Sequence, residues 1–376
     1  MLNLFLILIF IRPFISSLAF PYIDSIYSLF LLIFLLCWII SKGLPLNKIK
    51  LLKYPLIIFI YALLISTFFA YNKTAGLKEL LKYAAYLLVF LITASLADKE
   101  KTKIVRAIIL AGFIIGLLAI YQYFFGFQHV LDYIYKQGTA NQSALDYINR
   151  KRVFLPFATP NILAGYLIMI IPLALIFRQT IWLLAPLTFS LFLTQSLGAF
   201  LSLFIGITIC FCLQGKFRKR GLLVILGLLL TMGMIFTMRS RSPRQHLQPL
   251  SSLAMRLTYW RETAQIIKTH PLIGVGPGNF DSPHSRYAHN SYLQIWAEAG
   301  IFGLLAFLWL ILSIIKSNLK FLNHDFHKSG TNPLLISYIV FLIHNFVDFT
   351  FFLPEVSLIW WLLMGFLFSS RQLSRK

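Results

Sequence analysis

The residues with the most chemistry in this sequence fall between positions 251 and 303, SSLAMRLTYWRETAQIIKTHPLIGVGPGNFDSPHSRYAHNSYLQIWAEAGIFG. His289, followed by Asn290, stands where a polar segment gives way to a long apolar run. A histidine at such a boundary titrates near neutral pH and suits a general base. Arg256, Arg261 and Arg286 precede it, and guanidinium forks match phosphate oxygens and hold developing negative charge without an ion. The pairing of base and anion clamp is what a hydroxyl needs to attack while a phosphorylated group departs. Arg256 is the first candidate for the leaving oxygen and Arg286 the second, with Arg261 and Asn290 expected against the substrate. A second basic run, Arg150-Lys151-Arg152, precedes FLPFATPNILAGYL. It adds Arg152 and Asn161 to the substrate-binding candidates, Asn161 being equally suited to cap a helix.

Ionisable residues inside apolar runs are functional candidates by default. Glu298 lies about two turns beyond His289 on one expected helix, and His344 and Asp348 are expected one turn apart on another, where Asp348 is suited to orient an imidazole or to pair with an arginine. Asp281, His284, His289 and Asp348 are residue types that ligate metals, but no Asp-x-Asp or closely spaced carboxylate pair accompanies them. The chemistry is therefore expected to need neither metal nor cofactor.

Several elements must position these groups. Leu253, Leu257, Trp260, Ala264 and Ile267 recur at helical spacing and predict an amphipathic helix that lies on a membrane surface or caps a bundle. Pro271, Gly274, Gly276, Pro277 and Gly278 predict a sharp turn. Their Gly-x-Gly-x-Gly follows a helix instead of a strand, which argues against a dinucleotide fingerprint. Asn290, Gln294 and Glu298 stack at i, i+4 and i+8 as a polar stripe, while Gly300 and Gly303 clear the helix surface for a close neighbour.

The chain has 376 residues, 59% of them apolar, with runs of membrane-spanning length. That composition predicts an all-α polytopic membrane protein. Twelve spans are expected near 2–19, 22–40, 54–70, 79–97, 104–125, 160–177, 180–195, 196–213, 221–238, 291–315, 333–353 and 355–370. They form a single domain over 1–376, with 239–290 as a catalytic loop between spans 9 and 10. A formal net charge of +22 would suit nucleic acid, but the cations sit in short clusters between apolar runs, the pattern that encodes membrane orientation. Nucleic acid is accordingly not expected as a partner. With the N-terminus cytoplasmic, the inner loops carry Lys42, Lys48, Lys50, Lys53, Lys216, Lys320, Lys328, Arg375 and Lys376 among others. Arg239, Arg241, Arg244, Arg256, Arg261, Lys268 and Arg286 gather outside. Cys37, Cys210 and Cys212 lie in apolar runs, where they act as small hydrophobes. Between spans 7 and 8 the turn Thr194-Gln195-Ser196 must be tight, and polar backbone at that depth requires protein or a water-filled cavity around it.

With these residues in view, the chain resembles the O-antigen ligase and polymerase superfamily of bacterial envelopes, most closely the ligases. His289-Asn290, nine residues, Gly300, two residues and Gly303 fit that family's His-(Asn/Ser/Gln)-x9-Gly-x2-(Gly/Thr/Tyr) pattern. Arg256, Trp260 and HPLIGVGPGNF are similar to its large external loop, FATPNILAGYL to an earlier span, and HNFVDF at 344–349 to its closing spans. Leu197 departs from it, standing where many relatives carry arginine; if that arginine binds pyrophosphate in them, this chain uses another, Arg152 or Arg286, or acts on a different substrate. The resemblance implies a GT-C type fold of the inner membrane with both termini cytoplasmic and a periplasmic site. It also implies metal-independent, inverting transfer of a glycan from undecaprenyl diphosphate to a lipid A-core hydroxyl. A polymerase would use a second lipid-linked glycan as acceptor, and a lipid-linked oligosaccharide flippase, from another class, would move the lipid without forming a bond.

Overall fold

The computed structural model describes residues 1–43, 52–136, 142–213, 217–240, 251–319 and 331–373. Among the cations named above, Lys48, Lys50, Lys216, Arg241, Arg244, Lys320, Lys328, Arg375 and Lys376 lie outside the described residues. The architecture is all helical: α1 (Leu2–Ile11), α2 (Pro21–Lys42), α3 (Lys53–Phe69), α4 (Lys73–Ser95), α5 (Asp98–Tyr121), α6 (Phe127–Lys136), α7 (Gln142–Asn149), α8 (Pro160–Leu173), α9 (Leu184–Thr194), α10 (Leu197–Leu213), α11 (Phe217–Ser240), α12 (Ser251–Thr269), α13 (Ser291–Asn318), α14 (Thr331–His344) and α15 (Pro354–Leu373). Three stretches, Pro21–Lys42, Asp98–Tyr133 and Ser291–Asn318, are long and apolar enough to cross a bilayer. Among the described residues seven shorter apolar helices accompany them. The chain is a membrane protein.

The apolar runs are largely helical, but several break differently from expectation, the run 2–19 being α-helical only to Ile11 before a 3-10 turn over Arg12–Phe14. The run near 180–195 starts as a 3-10 turn over Arg178–Leu183 before α9. The run 333–353 stops being α-helical at His344, so His344 and Asp348 do not share a helix face one turn apart. Side chains compete with the backbone ladder there. The Asn345 Oδ1 accepts from Ser291 Oγ (2.7 Å) and Phe351 N (2.9 Å), and the Asp348 Oδ1 accepts from Phe349 N (2.8 Å).

The described residues group into two compact units. The first comprises Met1–Asp24, Thr102–Ser251 and Leu322–His344. Its centre is α8, every residue of which except Asn161 is buried, packed by α9, α10 and α14. Gly206 on α10 lets α14 approach until an added Cβ would stand 2.4 Å from Val340 Cγ2. Thr159, and not Asn161, caps α8 by accepting from Ile162 N, with Pro160 at the first helical position. The 194–196 turn is buried, and Gln195 takes the left-handed conformation at φ 52°. Protein meets its polar groups: Arg152 Nε donates to the Thr194 carbonyl (2.9 Å) and Gln195 Nε2 to the Arg150 carbonyl (3.0 Å).

The second unit comprises Ser25–Lys101, Ser252–Phe321 and Asn345–Lys376. Here α15 packs on α4 and α13 on α3, with Tyr86 and Trp361 stacked 5.9 Å apart and Ser357 Oγ donating to Tyr86 Oη at 2.7 Å. The buried face of α12 is Tyr259, Thr263 and Ile267, while Leu253, Leu257 and Ala264 of the expected stripe are exposed. The ring of Tyr259 turns inward to a ring partner described below.

Candidate active site

The site begins with a defect in α13. Gly300 sits at φ 70°, ψ −179°, so the helix opens in mid-course and leaves the preceding carbonyls without intrahelical donors. The glycine turn fills them: Val275 N donates to the Ala297 carbonyl (2.8 Å) and Gly276 N to the Glu298 carbonyl (3.0 Å), while Ile301 N donates to the Pro271 carbonyl (3.0 Å). A Cβ at Gly300 would fall 1.9 Å from the Leu272 carbonyl oxygen, and one at Gly274 2.4 Å from that of Glu298. Gly300 is thus a break that receives the turn, where a helix-to-helix approach was expected; Gly303 does face α3, with Ala62 Cβ 3.6 Å from a notional Cβ. Around this staple Ile267, Phe280, Ala288 and Ala297 form a buried apolar cluster, with Ile266, Leu293 and Trp296 against it.

The turn delivers the chain to His289, which adopts the left-handed conformation at φ 51°. That costs a residue with a side chain on the order of 1 kcal/mol and clusters at functional positions. Asn290 then caps α13, its Oδ1 accepting from Tyr292 N (3.0 Å) and Leu293 N (3.1 Å), which fixes the direction in which the histidine leaves the helix. The imidazole stacks on Tyr259 (5.0 Å, 23°) and meets the edge of Phe349 (4.6 Å, 81°). Phe349 is held from elsewhere by Tyr287, stacked at 4.2 Å. The His289 Nδ1 is buried and has no hydrogen-bond partner among the described residues.

Three residues before Tyr259 on α12, Arg256 directs Nη2 to 3.8 Å from Asp348 Oδ2. The carboxyl is fully buried and the guanidinium half-buried. Arg256 Nε has no partner among the described residues, so the cation retains an unused donor. Burial pushes the His289 imidazole down from 6.5 to about 4, with Asp348 opposing the shift and Arg256 adding to it. Burial also raises the Tyr287 phenol, with Glu79, Glu298 and Glu355 adding and Arg286 opposing. The result is an imidazole that is neutral at pH 7, an acidic residue that supports its charged form, and a cation with a free donor, all on one unit.

Of the expected site residues, the structure brings together His289, Arg256 and Asn290. Arg261 and Arg286 are exposed. Arg152 and Asn161 lie in the other unit and bond to each other, Arg152 Nη2 to Asn161 Oδ1 at 3.1 Å, with the guanidinium 5.5 Å from the Tyr147 ring centroid. His284 pairs with Glu262. Among the described residues no three His, Cys, Asp or Glu side chains share a place to hold a metal ion. Tyr259, Tyr287 and Phe349 went unrecognised in the sequence; the one available signal for Tyr259 was its i+3 spacing from Arg256.

A family model described as O-antigen ligase matches residues 179–308. The matched segment contains Arg256, the glycine turn and the whole signature from His289 to Gly303; Arg152, Asn161 and Asp348 lie beyond it. No curated protein matches the chain.

Proposed function

From the premise that residues 179–308 carry an O-antigen ligase domain, we propose that the chain transfers a glycan from undecaprenyl diphosphate to a hydroxyl of lipid A-core oligosaccharide. The reaction takes place at the periplasmic face of a bacterial inner membrane, with both termini in the cytoplasm. In this assignment residues 1–376 form one membrane domain of about twelve spans, a count that extends the apolar runs of the sequence, and 239–290 is its catalytic loop.

The observation that carries the proposal is the Arg256–Asp348 ion pair, three residues along α12 from the Tyr259 ring on which His289 stacks. The acceptor hydroxyl gives its proton to the imidazole as its oxygen attacks the anomeric carbon. The bond from that carbon to the diphosphate breaks, and undecaprenyl diphosphate leaves with the electron pair. A single displacement of this kind inverts the anomeric centre. Arg256 stabilises the charge gathering on the leaving oxygen through its unused donor. Its low proton affinity keeps His289 unprotonated in the free protein, and arrival of a diphosphate beside it strengthens the base by Coulomb attraction for the imidazolium. Asp348 supports that imidazolium once formed. The reaction is assigned no metal because Asp348 serves Arg256 and His284 serves Glu262. Arg261 and Arg286, exposed on the same unit, draw the anionic donor towards the site.

Purified protein incubated with undecaprenyl-diphosphate glycan and either lipid A-core or a second glycan lipid tests this. The expected product is glycosylated lipid A-core, lost by roughly 10²–10⁴-fold in His289→Ala. Wild-type turnover by that variant overturns the role of His289. Product on the glycan lipid instead makes the protein a polymerase, and lipid movement without a new bond makes it a flippase.

A further inference from the structure

Beneath His289 a carboxylic acid is buried that the mechanism above does not use. Glu298 is 4% exposed, and a buried carboxyl costs stability unless its oxygens are engaged. Its Oε1 accepts from Gln294 Nε2 at 3.0 Å. The other end of that amide, Gln294 Oε1, accepts from Ala288 N at 3.1 Å. Ala288 is fully buried, and its N–H can only donate, so Gln294 must present oxygen to it and leave its NH2 for an acceptor further down. Glu298 is that acceptor. The main chain of Glu298 is tied to the same assembly, since its carbonyl accepts from Gly276 N (3.0 Å) and Ser66 Oγ. Ala288 is the residue before the left-handed turn at His289, a conformation that persists only when its surroundings fix it.

We propose that Glu298 is a positioning residue for His289: it orients the Gln294 amide, whose oxygen holds the Ala288 N–H and with it the turn that aims the imidazole. This rests on His289 acting as the base in the function proposed above. Because the part played by Glu298 is that of an acceptor, a neutral amide at 298 fills it, whereas a hydrocarbon leaves the Gln294 NH2 and then the Ala288 N–H unpaired.

The experiment compares Glu298→Gln, Glu298→Leu, Gln294→Leu and Glu298→Leu/Gln294→Leu in the full chain, with two readouts. One is transfer kinetics. The other is the rate at which diethyl pyrocarbonate modifies His289 in the purified protein, followed by mass spectrometry, which does not depend on the reaction catalysed. The leucine variants are expected to lose kcat by about tenfold or more with the donor KM unchanged, and to change His289 modification severalfold. Glu298→Gln is expected to match wild type in both. The double variant should be no worse than the poorer single one, since both break one chain of bonds. Unaltered His289 modification in the leucine variants, or loss in Glu298→Gln as complete as in Glu298→Leu, overturns the positioning role. A wild-type protein that transfers no glycan overturns the proposed function, while the modification rates still decide the link between Glu298 and His289.

Discussion

At His289 two opposing charges set the working pH. Burial lowers its affinity for protons, Arg256 lowers it further and Asp348 raises it. An acid limb in kcat/KM that reports this group should therefore fall near 4, well below the ordinary 6.5. Removing the guanidinium in Arg256→Gln moves that limb upward and Asp348→Asn moves it downward, both readable in a pH series of transfer rates. The sign for stability follows from the same shift. The folded protein favours neutral imidazole, so its contribution is present above 6.5 and is lost as pH falls towards 4. His289→Phe keeps an aromatic ring against Tyr259 and should flatten thermal stability across that window, by up to ~3 kcal/mol at the acid end. The histidine and its arginine were legible because both are polar and close to an apolar boundary, and because His289 opens the signature that runs to Gly303. Asp348 was legible as an acid suited to orient an imidazole or pair with an arginine, and it pairs with Arg256, but nothing local says that residue 348 folds back to α12.

Among the elements, the glycine turn and the opened helix belong together. Gly300→Ala places a methyl 1.9 Å from the Leu272 carbonyl and demands φ of 70° from an alanine, so it should cost several kcal/mol or prevent folding. Gly227 on α11 has nothing within 4 Å of a notional Cβ, and Gly227→Ala should be neutral or raise the melting temperature, by up to about 1 kcal/mol of helix propensity. A paired thermal melt in detergent checks both. In the other unit Arg152 is engaged by Thr194 and Asn161. Arg152→Ala should lower the melting temperature, on the scale of ~1–3 kcal/mol for orphaned buried partners. Sequence periodicity located the helices well, because apolar runs leave few alternatives. It found the apolar stripe of α12 but not the residues turned inward, because helical spacing does not know that Tyr259 has a ring to stack on. The break at Gly300 was hidden for a related reason: two glycines in an apolar helix have the same spacing whether they loosen its surface or interrupt it.

For the whole molecule, hydropathy and charge carried most of what the sequence could say. The apolar runs are helices and the chain is a membrane protein, but the grouping of 25–101 with 252–321 and 345–376 depends on contacts between segments far apart in the chain, which local pattern does not encode. Orientation is directly measurable. With Cys37, Cys210 and Cys212 replaced by serine, Arg286→Cys on the exposed loop should be labelled by a membrane-impermeant maleimide from the outside once the outer membrane is permeabilised. Protection of that position, with labelling only after lysis, would turn the proposed site to the cytoplasm.

The opened turn of α13 also gives the spacing in the signature a mechanical sense. Asn290 fixes one end of a nine-residue helical segment and Gly300 the other, so the count between them works as a ruler. One residue more or fewer would rotate the far end by about 100° and shift it by roughly 1.5 Å. The carbonyls that catch the glycine turn would then point elsewhere, even if every named side chain were kept. The length of this segment is therefore constrained as tightly as the identities of Gln294 and Glu298 within it.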